Sequence, residues 1–155
     1  MTTTETLKQA SLDDVPAIMA MGEKLYKDSV YQNMKLDLVR ARQMLEKFII
    51  EGAEDYMVVL SHDNGKPVGV IAAYVFTPLF SSDKVATEVL LWLEPEYRTT
   101  QRGKELMDAY EYWAKLVGAK LVQYGLLSTA DPRLGLFYKR RGAFEAENVY
   151  YKEIQ

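Results

Sequence analysis

Apolar and polar positions fall into blocks along this 155-residue chain, and the period within each block predicts an element. Val15, Ile18, Met19, Met21 and Leu25 recur at helical spacing behind Ser11, Asp13 and Asp14, which offer an N-cap and an acidic first turn. Leu38, Ala41, Leu45 and Phe48 give a second helix over 37–50. Strands are expected at 5–10, 56–61, 68–76, 85–93, 119–127 and 144–154, with Asn148 marking a turn in the last. The run 68–76 is nearly all apolar, which places it centrally, and H-D-N-G-K-P before it is a hairpin turn. Residues 78–83 read as a loop. A third helix covers 102–117 and closes on Gly118; a fourth starts at Asp131–Pro132 and ends near Gly142. The order β-α-α-β-β-β-α-β-α-β predicts an α/β (α+β) fold, a mixed sheet flanked by helices, in one domain spanning 1–155.

One connection changes this from a fold to a chemistry. Leu91 to Leu106 reads L-W-L-E-P-E-Y-R-T-T-Q-R-G-K-E-L: an apolar strand end, a polar basic loop, then a helix start. Such a junction presents unpaired backbone N–H groups and a positive helix end to an anion, so a phosphate-bearing ligand is expected there. Arg98 and Arg102 would add charge-assisted hydrogen bonds, and Gly103 would permit close backbone approach. The bland alternative is a solvated strand-to-helix connection.

P-E-Y-R-T-T-Q-R-G-K-E-L resembles the acyl-CoA-binding loop of the GCN5-related N-acetyltransferases, whose signature is Arg/Gln-x-x-Gly-x-Gly/Ala after a strand. Arg98 matches its first position and Gly103 its last, while Gln101 stands in place of the first glycine. Near the C-terminus, F-Y-K-R-R-G-A-F (137–144) resembles the same family's tyrosine ahead of a glycine and an aromatic residue. The resemblance implies that family's fold, with a mostly antiparallel central sheet, and acetyl-CoA as cofactor. It also implies cofactor contacts from Leu93 and from Arg98, Thr99, Thr100, Gln101, Arg102, Gly103 and Lys104, with the pyrophosphate at the loop. Tyr138 would be the general acid that protonates the leaving thiolate, with aromatic core filling as its plain alternative.

A base must also take a proton from the attacking amine. The resemblance places a carboxylate on the strand before the loop, where Glu88 and Glu94 are the acids. Simple alternation puts Glu88, Leu90, Trp92 and Glu94 on one face, and a bulge would scramble that parity. Glu88, between apolar neighbours, is the candidate base, expected to be partly buried with a raised pKa; Glu94 is expected in solvent. Backbone N–H groups near Leu93 could polarise the thioester carbonyl. Tyr26, Ser29, Tyr31 and Asn33, with Phe80 in the 78–82 loop, could line an acceptor pocket. Where the family often places an asparagine, this chain has Asp131, whose plain role is an N-cap.

Composition narrows the rest. A net charge of −3 argues against a nucleic-acid partner, and no apolar run is long enough for a membrane helix. M-T-T-T-E-T lacks the features of a secretory signal, so the cytoplasm is the expected compartment. The absence of cysteine removes disulfides, thiolate metal sites and a cysteinyl acyl-enzyme, and the single histidine, His62, leaves no histidine-rich metal site. Direct attack by a primary amine of a small molecule or protein is the favoured route, and a homodimer is compatible with it. Two other readings compete: a non-catalytic module keeping at most CoA affinity, and an unrelated α/β domain for another phosphate ligand.

Overall fold

The computed structural model describes residues 6–126 and 130–154. It divides into two compact units, Met1–Gly125 and Leu126–Gln155. In the first unit, β1 (Leu7–Gln9), β2 (Tyr56–Asp63), β3 (Lys66–Phe76), β4 (Lys84–Leu93) and β5 (Ala119–Gln123) form one sheet in sequence order. Neighbours are antiparallel except β4 and β5, which are parallel. The helices of this unit are α1 (Val15–Asp28), α2 (Leu38–Glu51) and α3 (Arg102–Leu116).

The central position of β3 follows from its composition, since a strand covered on both faces has no polar side to spare. One face, with Val58, Leu60, Val70, Ala72, Leu90 and Trp92, packs with Ile18 and Met21 of α1 and Phe48 of α2. The other, with Met57, Ile71, Ala73 and Ala86, packs with Leu106, Tyr110 and Ala114 of α3. The β2–β3 hairpin closes on Asn64 and Gly65, both at positive φ (50° and 79°), as the sequence predicts for a two-residue turn with type I′ twist.

Local starts and stops are also legible. The Asp14 carboxylate accepts the N–H of Ser11 at 2.8 Å, although this cap opens a short 3₁₀ turn at Leu12–Asp14 rather than α1 itself. Asp37 Oδ1 accepts the N–H of Arg40 at 3.0 Å and starts α2. Gly118, at φ 84°, ends the α3 turn as a C-cap.

Three expectations are corrected. Leu38 is 46% exposed, because it is the first residue of α2 and the buried stripe comes later, at Leu45, Phe48 and Ile49. β5 ends at Gln123, and Leu127, the expected end, lies outside the described residues. No strand forms among residues 144–154. A strand exists only as a member of a ladder, and this segment, interrupted by Glu145, Glu147 and Asn148, pairs with none among the described residues. In the second unit, α4 (Arg133–Arg140) carries Tyr138, and the chain turns beyond it at Gly142 with φ 94°.

Gly69 fixes how closely α3 approaches the sheet. A Cβ there would stand 2.7 Å from Leu93 Cδ1, 3.2 Å from Leu106 Cδ1 and 3.2 Å from the Trp92 carbonyl oxygen. Gly69→Val is expected to destabilise the chain by about 1–3 kcal/mol through overpacking, measured by chemical denaturation. Gly69→Ala should cost less, because the tip of Leu93 can turn aside.

Candidate active site

The site begins where β4 and β5 part. Their ladder runs from Lys84↔Ala119 to Thr87↔Gln123 and stops, while β4 continues for six more residues to Leu93. From Glu88 onward one edge of β4 is still paired to β3 and the other has no strand beside it among the described residues. At about 3.3 Å per residue this edge is roughly 20 Å long, and the Leu93 carbonyl at its far end takes a side-chain bond from Arg98.

A bulge sits at the head of this edge. Ala72 pairs with Leu90 and Ala73 with Glu88, which leaves Val89 unopposed. The extra residue reverses side-chain parity: Ala86 lies in the α3-side core, while Leu90 and Trp92 lie on the α1–α2 side. Glu88, opposite Ala73, therefore does not share a face with Leu90 and Trp92.

The Glu88 side chain is half-buried, and its Oε1 accepts the N–H of Gly125 at 2.7 Å, spanning the fork from β4 to the segment after β5. Burial pushes its carboxyl pKa up, only partly offset by the Gly125 bond, as the sequence anticipates for an acid between apolar neighbours. Below it, the fully buried Tyr110 of α3 donates its hydroxyl to the Gln123 carbonyl at 3.0 Å, which holds the end of β5. Burial first, and the Glu88 charge next, push that phenol far above its ordinary range, so it remains a hydrogen-bond donor. Glu94 is not in open solvent: its side chain is 16% exposed and takes Lys24 Nζ of α1 at 2.7 Å.

Beyond Leu93 the chain makes a 3₁₀ turn at Pro95–Tyr97, a short loop, and then α3. Arg98 folds back on the strand end: its Nε donates to the Leu93 carbonyl at 2.8 Å, and its guanidinium carbon stands 4.7 Å from the Trp92 ring centroid. Thr100 accepts the N–H of Arg102 on Oγ1 at 3.3 Å. The N–H groups of Thr99, Gln101, Gly103 and Lys104 have no acceptor among the described residues. Four orphan amides and the positive end of a 15-residue helix therefore gather in six residues.

Gln101 has ordinary helical backbone angles (φ −75°, ψ −2°), so the glycine missing there leaves no strain. A Cβ on Gly103 would meet only Leu93 Cδ2, at 3.8 Å, so the free chain does not itself demand glycine at that position. Arg102 and Lys104 are already paired, to Asp63 and Asp108. The anion-holding capacity of this loop thus resides mainly in its amides.

Unit one brings Glu88, Leu93 and Arg98 to Lys104 onto one strand, loop and helix start. Tyr138, from unit two, is 6% exposed in the last turns of α4. Asp131 accepts both the backbone N–H of Arg133 at 2.9 Å and its guanidinium, which holds its carboxyl below the usual range. Tyr31 is 43% exposed in the 3₁₀ turn Val30–Asn33, and Phe80 is 100% exposed in the β3–β4 loop. Ser29 Oγ caps that 3₁₀ turn by accepting the Tyr31 N–H at 3.1 Å, and the Tyr26 hydroxyl is bonded to the Met34 carbonyl. Among the described residues no helix is long and apolar enough to cross a membrane, and no cluster of acids and histidine is set to hold a metal. The bulge at Val89 and the pairing of Glu88 with Gly125 were not visible in the sequence, since an apolar residue within an apolar strand carries no mark of being extra.

Comparison with known proteins finds the same fold elsewhere. Glucosamine-6-phosphate N-acetyltransferase from Arabidopsis thaliana superposes with a TM-score of 0.75 over 99% of this chain and 100% of its own, at 13% identity. An aminoglycoside acetyltransferase from an uncultured soil metagenomic sample, in complex with sisomicin, gives 0.70 over 96% and 95%, at 17% identity. AAC(6')-Iy, in complex with the bisubstrate analogue CoA-S-monomethyl-acetylneamine, gives 0.73 over 96% and 97%, at 13% identity. In sequence, the chain is 25% identical over 114 residues to the amino-acid acetyltransferase of Pasteurella multocida. That match takes in 74% of this chain and 22% of the relative, so the chain spans about a fifth of that protein's length. The profile described as the acetyltransferase (GNAT) family matches residues 23–143, more than three-quarters of the chain. The chain belongs to the acetyltransferase (GNAT) family.

Proposed function

We propose that this chain is an acetyl-CoA-dependent N-acetyltransferase that acetylates a primary amine by direct attack. The observation that carries the reading is the bare edge of β4, which runs from the Glu88 bulge into a loop of four unpaired amides. An extended arm bearing amides can pair with such an edge as an added strand, and a pyrophosphate fits the amides at its end. Acetyl-CoA supplies both of these, together with a thioester activated for transfer. Residues 1–155 would work as one domain, since the family match crosses from the first compact unit into the second.

Within this reading Thr99, Gln101, Gly103 and Lys104 hold the pyrophosphate through backbone N–H groups, Arg98 fixes the loop to the end of β4 and Thr100 links Tyr97 to Arg102 within the loop. Leu93 shapes the edge and, with Gly69, sets its distance from α3. Glu88 takes the proton that the incoming ammonium must lose, directly or through water; its raised pKa brings it closer to neutral pH. Tyr138 gives a proton to the departing thiolate. Tyr31 and Phe80, exposed on two separate loops, are the proposed acceptor contacts. A small-molecule amine is favoured over a protein by the relatives, which are named for amino acids, glucosamine 6-phosphate and aminoglycosides.

A thiol-release assay with acetyl-CoA over a panel of small amines and lysine peptides tests the reaction, and the cysteine-free chain adds no background. Release that depends on both substrates is expected. Binding of acetyl-CoA without release for any amine would identify a non-catalytic CoA-binding module instead.

A further inference from the structure

Asp63, the last residue of β2, grips both ends of the phosphate loop. Its Oδ2 accepts the Tyr97 hydroxyl at 2.8 Å, and its Oδ1 lies 3.4 Å from Nη2 of Arg102. Arg102 Nη1 donates to the His62 carbonyl and stands 3.4 Å from Oγ of the fully buried Ser61. The guanidinium carbon is 5.3 Å from the centroid of the Tyr97 ring, so the two gripped side chains also stack. The β2–β3 register shifts between Ser61 and His62, and such an irregularity re-aims side chains at a strand end.

Tyr97 and Arg102 flank residues 98–101. With both tied to one carboxylate, the base of the loop is closed before any ligand arrives. Ordering a free loop costs conformational entropy, and a preset loop avoids that cost at the moment of binding. The same pairing offsets the charge of Arg102, which leaves the amides as the principal anion contacts.

We propose that Asp63 is a positioning residue for the phosphate loop: through Tyr97 and Arg102 it presets the amides of residues 99–104 for the cofactor pyrophosphate without touching the cofactor. This rests on the acetyl-CoA reading above. It has a clear rival, in which Asp63 only masks Arg102, and that rival predicts the opposite sign. Removing the Asp63 charge would then free a cation for the phosphates and tighten binding.

The experiment measures the Kd for CoA by calorimetry, and KM and kcat for acetyl-CoA, in wild type, Asp63→Asn, Asp63→Glu and Tyr97→Phe. Positioning predicts a rise of about tenfold in Kd and KM for Asp63→Asn, equivalent to about 1.4 kcal/mol. A smaller rise is expected for Tyr97→Phe and partial recovery for Asp63→Glu, with kcat within about twofold throughout. In the double variant Asp63→Asn/Tyr97→Phe the effects should not add fully, because the charge-assisted bond from Tyr97 is weakened in one single variant and lost in the other. Tyr97→Phe keeps the ring, so it carries the test alone if Asp63→Asn does not fold. Unchanged or tighter binding by these variants, or a fall in kcat at constant Kd, overturns the proposal. Failure of wild type to bind CoA overturns the cofactor reading itself, and this proposal with it.

Discussion

Tyr138→Phe is expected to lower kcat about a hundredfold while leaving the Kd for acetyl-CoA within about twofold. Phenylalanine keeps the ring that fills the α4 packing and removes only the hydroxyl. The stability cost should stay near that of one hydrogen bond, about 1 kcal/mol. A phenol with an ordinary pKa of about 10 is a slightly weaker acid than an alkyl thiol near 8.5, so the proton transfer is uphill by only about 2 kcal/mol. That is a small share of a chemical barrier, and a hydroxyl held in place can supply the proton while the C–S bond breaks. Loss of turnover with a melting point lowered by no more than a few degrees assigns the proton to Tyr138. An unchanged kcat would leave it as a core aromatic.

Glu88→Gln should also cost about 10² in kcat, and it separates chemistry from folding more sharply. The glutamine carbonyl can still accept the Gly125 N–H, so the fork between β4 and β5 keeps its clip. The folded-state pKa of Glu88 is raised, which means that the native chain favours the protonated acid. As pH rises from the ordinary carboxylate value of about 4.3 through that raised value, Glu88 ionises at a cost to the folded state. A neutral glutamine removes this cost, so the variant should be as stable as wild type or more stable at neutral pH. Activity moves the other way. In wild type kcat/KM should climb with pH across an acidic limb lying above the ordinary carboxylate range, and Glu88→Gln should abolish that limb. Retention of the limb in the variant would remove Glu88 from the role of base.

Much of this arrangement was legible because its signals are local. Asn64–Gly65 announces a turn with both residues at positive φ, and the apolar run of β3 announces a strand covered on both faces. The loop 95–103 was readable because it combines basic residues, a glycine and a helix start within one short span. The unread features depend on partners that are remote in sequence. Val89 becomes an extra residue only when the β3 register is known. Arg102 looks like a phosphate ligand until Asp63, 39 positions earlier, occupies it. Glu94 looks solvated until Lys24 of α1 covers it. The 144–154 segment shows the converse, since strand composition without a ladder gives no strand.

If the edge of β4 and the amides of 99–104 form an acetyl-CoA site, that ligand must stabilise the folded chain. Thermal denaturation of the wild type against increasing acetyl-CoA measures this. A ligand that binds only the folded state stabilises by RT ln(1 + [L]/Kd), which is about 2.7 kcal/mol at a hundredfold excess over Kd. The melting temperature should rise steadily with the logarithm of acetyl-CoA concentration, and CoA should reproduce the rise. No shift at millimolar acetyl-CoA would contradict such a site.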